Sequence, residues 1–369
     1  MPSLRGWRRV LDKRTGLSPI LQAAALHEVP SGLRYYHYFG AVLILLFLVQ
    51  GFTGVLMLFY YQPTPEAAHR SVRFLMNEVS LGWVVRSLHR WAGDGMVVVA
   101  FLHLFRVFLT GAFKAPRELT WMVGSLLLFG VLGLAFTGYL LPWDEKAYWA
   151  TTVGTRMVRE VPLLGPFLEG LLAGGERVGA LTLTRFFALH IVVIPFLLLF
   201  LMGVHLFLIY RLGIADPLPR RGNPPAGRVP YFSDFFQGEI AAGLVALALL
   251  LLWTAWSPAP LGSPADPNRT PGLIKPDWPF LAFYQMLKYF PSGGLFPGLT
   301  FLKLAVLLQM VPFLLLLLLP FLDRSPDRRP GRRKVVCGAG LSLLLAWAIL
   351  TYLGHYAGGR DPLFGVAIP

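Results

Sequence analysis

Four histidines carry the chemistry open to this chain: His89 and His103 in one apolar segment, His190 and His205 in another. The first two are 14 residues apart and the second two 15. At 3.6 residues per turn both separations come close to four turns, so each pair shares one helix face. A rise of about 1.5 Å per residue puts the two levels roughly 21 Å apart. Two such helices side by side offer one imidazole each at two depths, which is the layout of two stacked bis-imidazole sites. An iron porphyrin with two axial histidines carries single electrons and leaves no open coordination position. Ionisable side chains in membrane spans are rare and usually functional, so four at paired depths read as ligands. His27, His37, His69 and His355 lie near predicted segment ends and read as structural.

The elements that must hold these groups are membrane helices. Hydrophobic residues make up 55% of 369, charged residues 14%, and mean hydropathy is +0.59. That composition excludes a soluble two-domain chain and fits an all-α polytopic membrane protein. Apolar runs long enough to span lie at 38–61, 86–109, 119–141, 186–210, 239–256, 299–321 and 335–353, about seven in all. The fourth run contains Pro195, and the sixth Pro312 and Pro320. The Pro/Gly/Arg-rich stretch Asp216–Arg228 cannot span. It divides a four-helix part, 1–215, which holds all four paired histidines, from a three-helix part, 216–369.

The net charge of +14 would suggest nucleic acid in a soluble protein. Here its distribution sets orientation instead, and no nucleic acid is expected. Basic residues cluster before span one (Arg5, Arg8, Arg9, Lys13, Arg14, Arg34), between two and three (Lys114, Arg117), after four (Arg211, Arg220, Arg221, Arg228) and between six and seven (Arg324, Arg328, Arg329, Arg332, Arg333, Lys334). Alternating spans bring all of these to one side, which the positive-inside rule assigns to the cytoplasm together with the N-terminus. No removable signal peptide is expected. The lone Cys337 reads as a small buried hydrophobe, and without Cys-x-x-Cys-His a covalent c-type haem is not expected. Two long outward segments, Pro142–Leu181 and Ser257–Pro297, suggest a lipid-accessible pocket near that surface.

A porphyrin standing between helices needs small residues where it presses on backbone. Gly40 and Gly54 in span one are 14 apart, as are Gly124 and Gly138 in span three, matching the histidine repeat. Buried propionates need cationic partners. Arg86 and Arg90 flank His89, Arg106 follows His103, and Arg185 precedes His190, each about one turn from a ligand.

The stretches FLVQGFTG, FYYQP, RSLHRW, FLHLFRVFLTGAFKAPRELTW, FTGYLLPWDEKAYWA and TLTRFFALH resemble cytochrome b of the bc/bf family, the quinol:cytochrome c or plastocyanin oxidoreductases. The resemblance covers 34–211 almost continuously. The 15-residue His190–His205 gap is similar to the chloroplast-type and related bacterial branch. GSPADPNRTP and KPDWPFLAFYQMLKYFP resemble that branch's separate three-helix partner subunit, here in the same chain. The resemblance implies two haem b groups, His89 and His190 holding the outer one and His103 and His205 the inner one. It implies quinol oxidation at the outer face. One electron passes to a Rieske iron–sulfur protein and onward to a c-type cytochrome, and the other through the haems to an inner quinone site. Proton translocation and a homodimeric complex are implied as well, and the high Arg, Ala, Gly and Leu content points to a GC-rich bacterial source and so to a bacterial inner membrane.

The chain departs from the family in places. Where the family has Pro-Glu-Trp-Tyr, it reads Pro276-Asp277-Trp278-Pro279. Asp277 is expected to accept the quinol proton as general base, with a shorter reach. At His37-Tyr38 the cysteine that tethers an extra c-type haem in the chloroplast-type branch is missing. Asp234 and Glu239 are both candidates for the inner-site acid. By similarity Trp143, Tyr148, Trp149 and Gly154 belong to the outer pocket, whose alternative role is an interfacial aromatic belt. A competing function is a di-haem membrane anchor that passes electrons without bifurcation, which predicts no outer pocket in the C-terminal part.

Overall fold

The computed structural model describes residues 12–16, 27–218, 227–272, 275–290, 293–296 and 299–356. Within these, seven helices are long and apolar enough to cross a membrane: α1 (Phe39–Leu58), α3 (Gly82–Leu109), α4 (Glu118–Leu140), α7 (Ala180–Leu212), α8 (Tyr231–Trp256), α10 (Phe301–Leu322) and α11 (Lys334–Tyr356). All seven predicted spans are present, and the chain is an integral membrane protein. The fifth span starts earlier than hydropathy suggested, because Tyr231–Phe235 forms a π-helical turn continuous with the helix.

With the basic face taken as inner, the segments at the opposite, outer face fold into short helices rather than plain loops. They are α2 (Ala68–Asn77), α5 (Glu145–Arg159), α6 (Gly165–Ala173) and α9 (Trp278–Leu287). The side chain of Asp144 accepts from the Ala147 N–H at 2.9 Å and starts α5 as an N-cap. Asp277 stands at the N-cap position of α9, with Pro279 in the first turn.

Helices α1, α3, α4 and α7 form the four-helix part. Here α1 packs on α3, and α4 on α7. In α7 the chain widens to a π-helical turn, Leu189–Val193, just before Pro195, whose ring supplies no backbone N–H. His190 sits in that turn.

The two parts are joined at both ends. On the inner side β1 (Glu28–Pro30) pairs antiparallel with β2 (Arg228–Pro230), Val29 opposite Val229. Also there, Asp323 after α10 bonds Lys114 at 2.9 Å and Arg333 at 2.5 Å, and Arg333 also donates to the Phe108 carbonyl at 2.9 Å. Burial alone would raise the Asp323 carboxyl. The hydrogen bonds and charges of Lys114 and Arg333 outweigh it and hold Asp323 below the usual carboxylate range. On the outer side Arg86 donates to the carbonyls of Ala259 (2.6 Å) and Pro260 (2.8 Å), pinning the segment after α8. Cys337 is half-buried near the start of α11.

Candidate functional site

Helices α3 and α7 bring His89 and His190 together, with ring centroids 6.1 Å apart and planes at 68°. Two metal–imidazole bonds of about 2 Å each, added to two half-rings, span about that distance, so one iron fits between the rings.

Local hydrogen bonds leave the outward nitrogens free. Thr53 donates its hydroxyl hydrogen to the Val49 carbonyl at 2.6 Å, so its oxygen is left to accept from His89 Nδ1 at 2.9 Å. Thr137 repeats the pattern on α4: it donates to Gly133 at 2.8 Å and stands 3.3 Å from His190 Nδ1. The Leu134 carbonyl accepts from the same Nδ1 at 3.1 Å. With the proton held on Nδ1, each ring keeps an Nε2 lone pair with which it could bind a metal, the usual outer-sphere arrangement of ligating histidine. Thr53 and Thr137 escaped the sequence reading. The signal was there: Phe-Thr-Gly recurs at 52–54 and 136–138.

Each of the four glycines faces one of the four imidazoles. A Cβ would lie 3.4 Å from His89 Cε1 at Gly54, 3.7 Å from His103 Cε1 at Gly40, 3.1 Å from His205 Cε1 at Gly124 and 2.5 Å from His190 Cε1 at Gly138. The glycines therefore make room for the imidazole rings that they face.

The inner level opens on a cavity of about 850 Å³ lined by His103, His205, Gly40, Gly124 and Arg106. That is near the upper end for cofactor sites. His103 Nδ1 and Arg106 Nε are buried there without a hydrogen-bond partner. Buried polar groups are normally paired, so an anionic group fits beside the Arg106 guanidinium, while His103 Nδ1 lacks the protein partner that Nδ1 of His89 and His190 has. His37, which also lines the cavity, is pushed down to about 4 by burial and by the Arg106 charge. Glu239 lines it too and accepts from the Tyr231 hydroxyl at 2.5 Å. The side chain of Asp234 lies outside the described residues.

The other arginines are engaged elsewhere. Arg86 holds the outer carbonyls already named. Arg185 donates to Gly170 (2.5 Å) and Leu171 (2.8 Å) in α6. Arg90 pairs with Asp94 at 3.0 Å and Asp277 at 2.5 Å. Of the four arginines expected to meet propionates, Arg106 keeps an unpaired buried Nε–H, and Arg86, Arg90 and Arg185 are hydrogen-bonded within the protein.

A second cavity, about 260 Å³, lies on the outer side between the two parts. Gly154 and Ala150 of α5 line it, with Pro276, Phe280 and Tyr284 at and within α9. A cavity of about 150 Å³ admits benzene, so one ring-sized head group fits. Tyr148, Trp149 and Trp143 form a buried aromatic cluster and are not among its walls, because the Tyr148 hydroxyl turns to the Val178 carbonyl at 3.2 Å. Trp278 likewise turns away: its indole donates to Asp94 at 3.1 Å and packs against Trp347. Asp277 is held from both sides, by Arg90 and by Lys146. His69 bonds the Gly262 carbonyl at 2.8 Å, a structural role.

The family model for cytochrome b/b6/petB matches residues 25–213, and that for cytochrome b (C-terminal)/b6/petD matches 264–363. The chain belongs to the cytochrome b family. A cytochrome bc complex cytochrome b subunit of Chlorobaculum thiosulfatiphilum is 38% identical over 84% of this chain and 71% of that one. A cytochrome b6 of Heliobacterium modesticaldum is 43% identical over 56% of this chain and 98% of its own length. A chain of a hyperthermophilic respiratory Complex III superposes with a TM-score of 0.81 at 28% identity, covering 96% of this chain and 91% of that one. Cytochrome b is an electron-transport, haem-binding membrane family, and this member holds its N-terminal and C-terminal regions in one chain.

Proposed function

We propose that this cytochrome b is the membrane core of a bc-type quinol oxidoreductase complex, with residues 1–215 as its di-haem part and 216–369 completing the outer quinol site. The observation that carries the reading is the His89–His190 pair, 6.1 Å apart, with Nδ1 of each ring engaged. Bound between the paired imidazoles, two b haems supply one-electron transfer across the bilayer. Arg106 would pair with a propionate at the inner level, where it lines the cavity with an unpaired N–H.

At the outer face the apolar cavity takes the quinol head group. Asp277, adjoining that cavity through Pro276, accepts a quinol proton on a carboxylate oxygen when its contact with Lys146 opens. Both of its oxygens are otherwise engaged by cations. Because Pro276 and Phe280 line the cavity, bifurcating quinol oxidation is favoured over a simple di-haem anchor. A Rieske protein and a c-type cytochrome are the acceptors, the N-terminus faces the cytoplasm, and the complex is a homodimer in a bacterial inner membrane.

Potentiometric titration of the α-band on the purified complex, with pyridine haemochrome counting, tests the assignment. Two low-spin b haems with separated midpoints are expected. One haem or none overturns it, and a third would make His37 a ligand candidate.

A further inference from the structure

Gln309 is out of place in its helix, FLKLAVLLQMVPFLLLLLLPFL, where every neighbour for several residues is apolar. It is 8% exposed. A polar side chain inside the bilayer costs free energy and marks function more often than packing. Its Nε2 donates to the Phe283 carbonyl of α9 at 3.2 Å. That bond fixes the amide orientation, with nitrogen toward Phe283 and Oε1 left as an unused acceptor.

Gln309 lines the outer cavity from the C-terminal part. From the four-helix part comes Tyr139, whose buried hydroxyl has no hydrogen-bond partner. Tyr284, also on the wall, donates its hydroxyl to the Ala150 carbonyl. Two uncommitted polar atoms, Gln309 Oε1 and Tyr139 Oη, thus face a space otherwise bounded by apolar groups.

We propose that Gln309 Oε1 accepts a hydrogen bond from a hydroxyl of the quinol head group, so that the outer cavity prefers quinol to its oxidised product. The assignment rests on the quinol reading of that cavity. A quinone has only carbonyl acceptors and cannot donate to Oε1, whereas the second Nε2 hydrogen and the Tyr139 hydroxyl can donate to an oxygen of either redox form, so the Oε1 bond is the one that separates them. Sites built to receive an O–H reject the analogue that lacks it. One neutral hydrogen bond corresponds to about a five- to tenfold change in affinity.

The test is steady-state turnover of the purified complex with decyl-ubiquinol and a short-tailed menaquinol analogue, a soluble c-type cytochrome as acceptor, and the oxidised analogues as product inhibitors. Gln309→Met is expected to raise KM for quinol about five- to tenfold while kcat stays within about twofold. Product inhibition by quinone and both haem α-bands stay at wild-type values. Gln309→Asn withdraws the oxygen by one methylene without removing polarity, and it is to shift KM the same way should the Met variant fail to assemble. An unchanged KM, or equal losses for quinol and quinone, overturns the assignment of Gln309. Wild-type complex that oxidises neither quinol overturns the quinol reading itself, and this assignment with it.

Discussion

Gly138 and His190 stand so close that a methyl group on the glycine would meet the imidazole Cε1 at 2.5 Å. Real Cβ contacts do not come that near, and the ring is wedged by its bonds to Leu134 and Thr137. At Gly40 the same methyl would sit 3.7 Å from His103, an ordinary contact.

The two glycines should therefore respond differently. Gly138→Ala is expected to lose the outer haem and keep the inner one, halving the pyridine haemochrome count. Gly40→Ala is expected to keep both. Equal haem loading in the two variants would show that the ring cradle does not limit ligation.

Thr53 sets the donor strength of His89 by accepting its Nδ1–H. Thr53→Val removes the acceptor and leaves the shape nearly unchanged. The imidazole then donates less electron density to iron, so the midpoint potential of one haem should rise while the other stays put. Redox titration resolves the two, and unmoved midpoints would remove Thr53 from the ligand sphere.

Asp277 bridges Arg90 of α3 and Lys146 of α5. Asp277→Asn keeps the shape but cannot take a proton at neutral pH. Quinol turnover is expected to fall about 100-fold, the lower range for general acid–base catalysis, with both haem spectra unchanged. Undiminished turnover would take Asp277 out of the mechanism.

The Lys114–Asp323–Arg333 cluster should make the inner junction acid-sensitive. A carboxyl held below its ordinary value in the fold contributes stability that is present above the unfolded value, about 3.9. That stability is lost as pH falls through the lower folded value, so the junction is expected to loosen only below about pH 4. Asp323→Asn leaves two buried cations unpaired and is expected to cost about 3–5 kcal/mol. Thermal denaturation of the detergent-solubilised complex, followed by haem release, measures both effects.

The sequence by itself determined the spans, the two histidine levels and the glycine repeat. Each follows from one-dimensional regularities: hydropathy over about 20 residues gives a crossing helix, and 14-residue spacing returns a side chain to the same face. Chain direction alone put His89 level with His190. Only the tertiary structure decided which groups serve those ligands and which are engaged elsewhere. Arg86 and Arg106 look alike in sequence, yet one is bound by carbonyls more than 170 residues away and the other faces a cavity. Tyr148 and Trp149 share their helix with Gly154, but helix rotation and the Val178 carbonyl put them in the core while Gly154 lines the outer cavity. That cavity is walled by α4, α5, α9 and α10, from both parts of the chain. No local pattern encodes such a space, because it exists only where helices distant in sequence fail to close against one another.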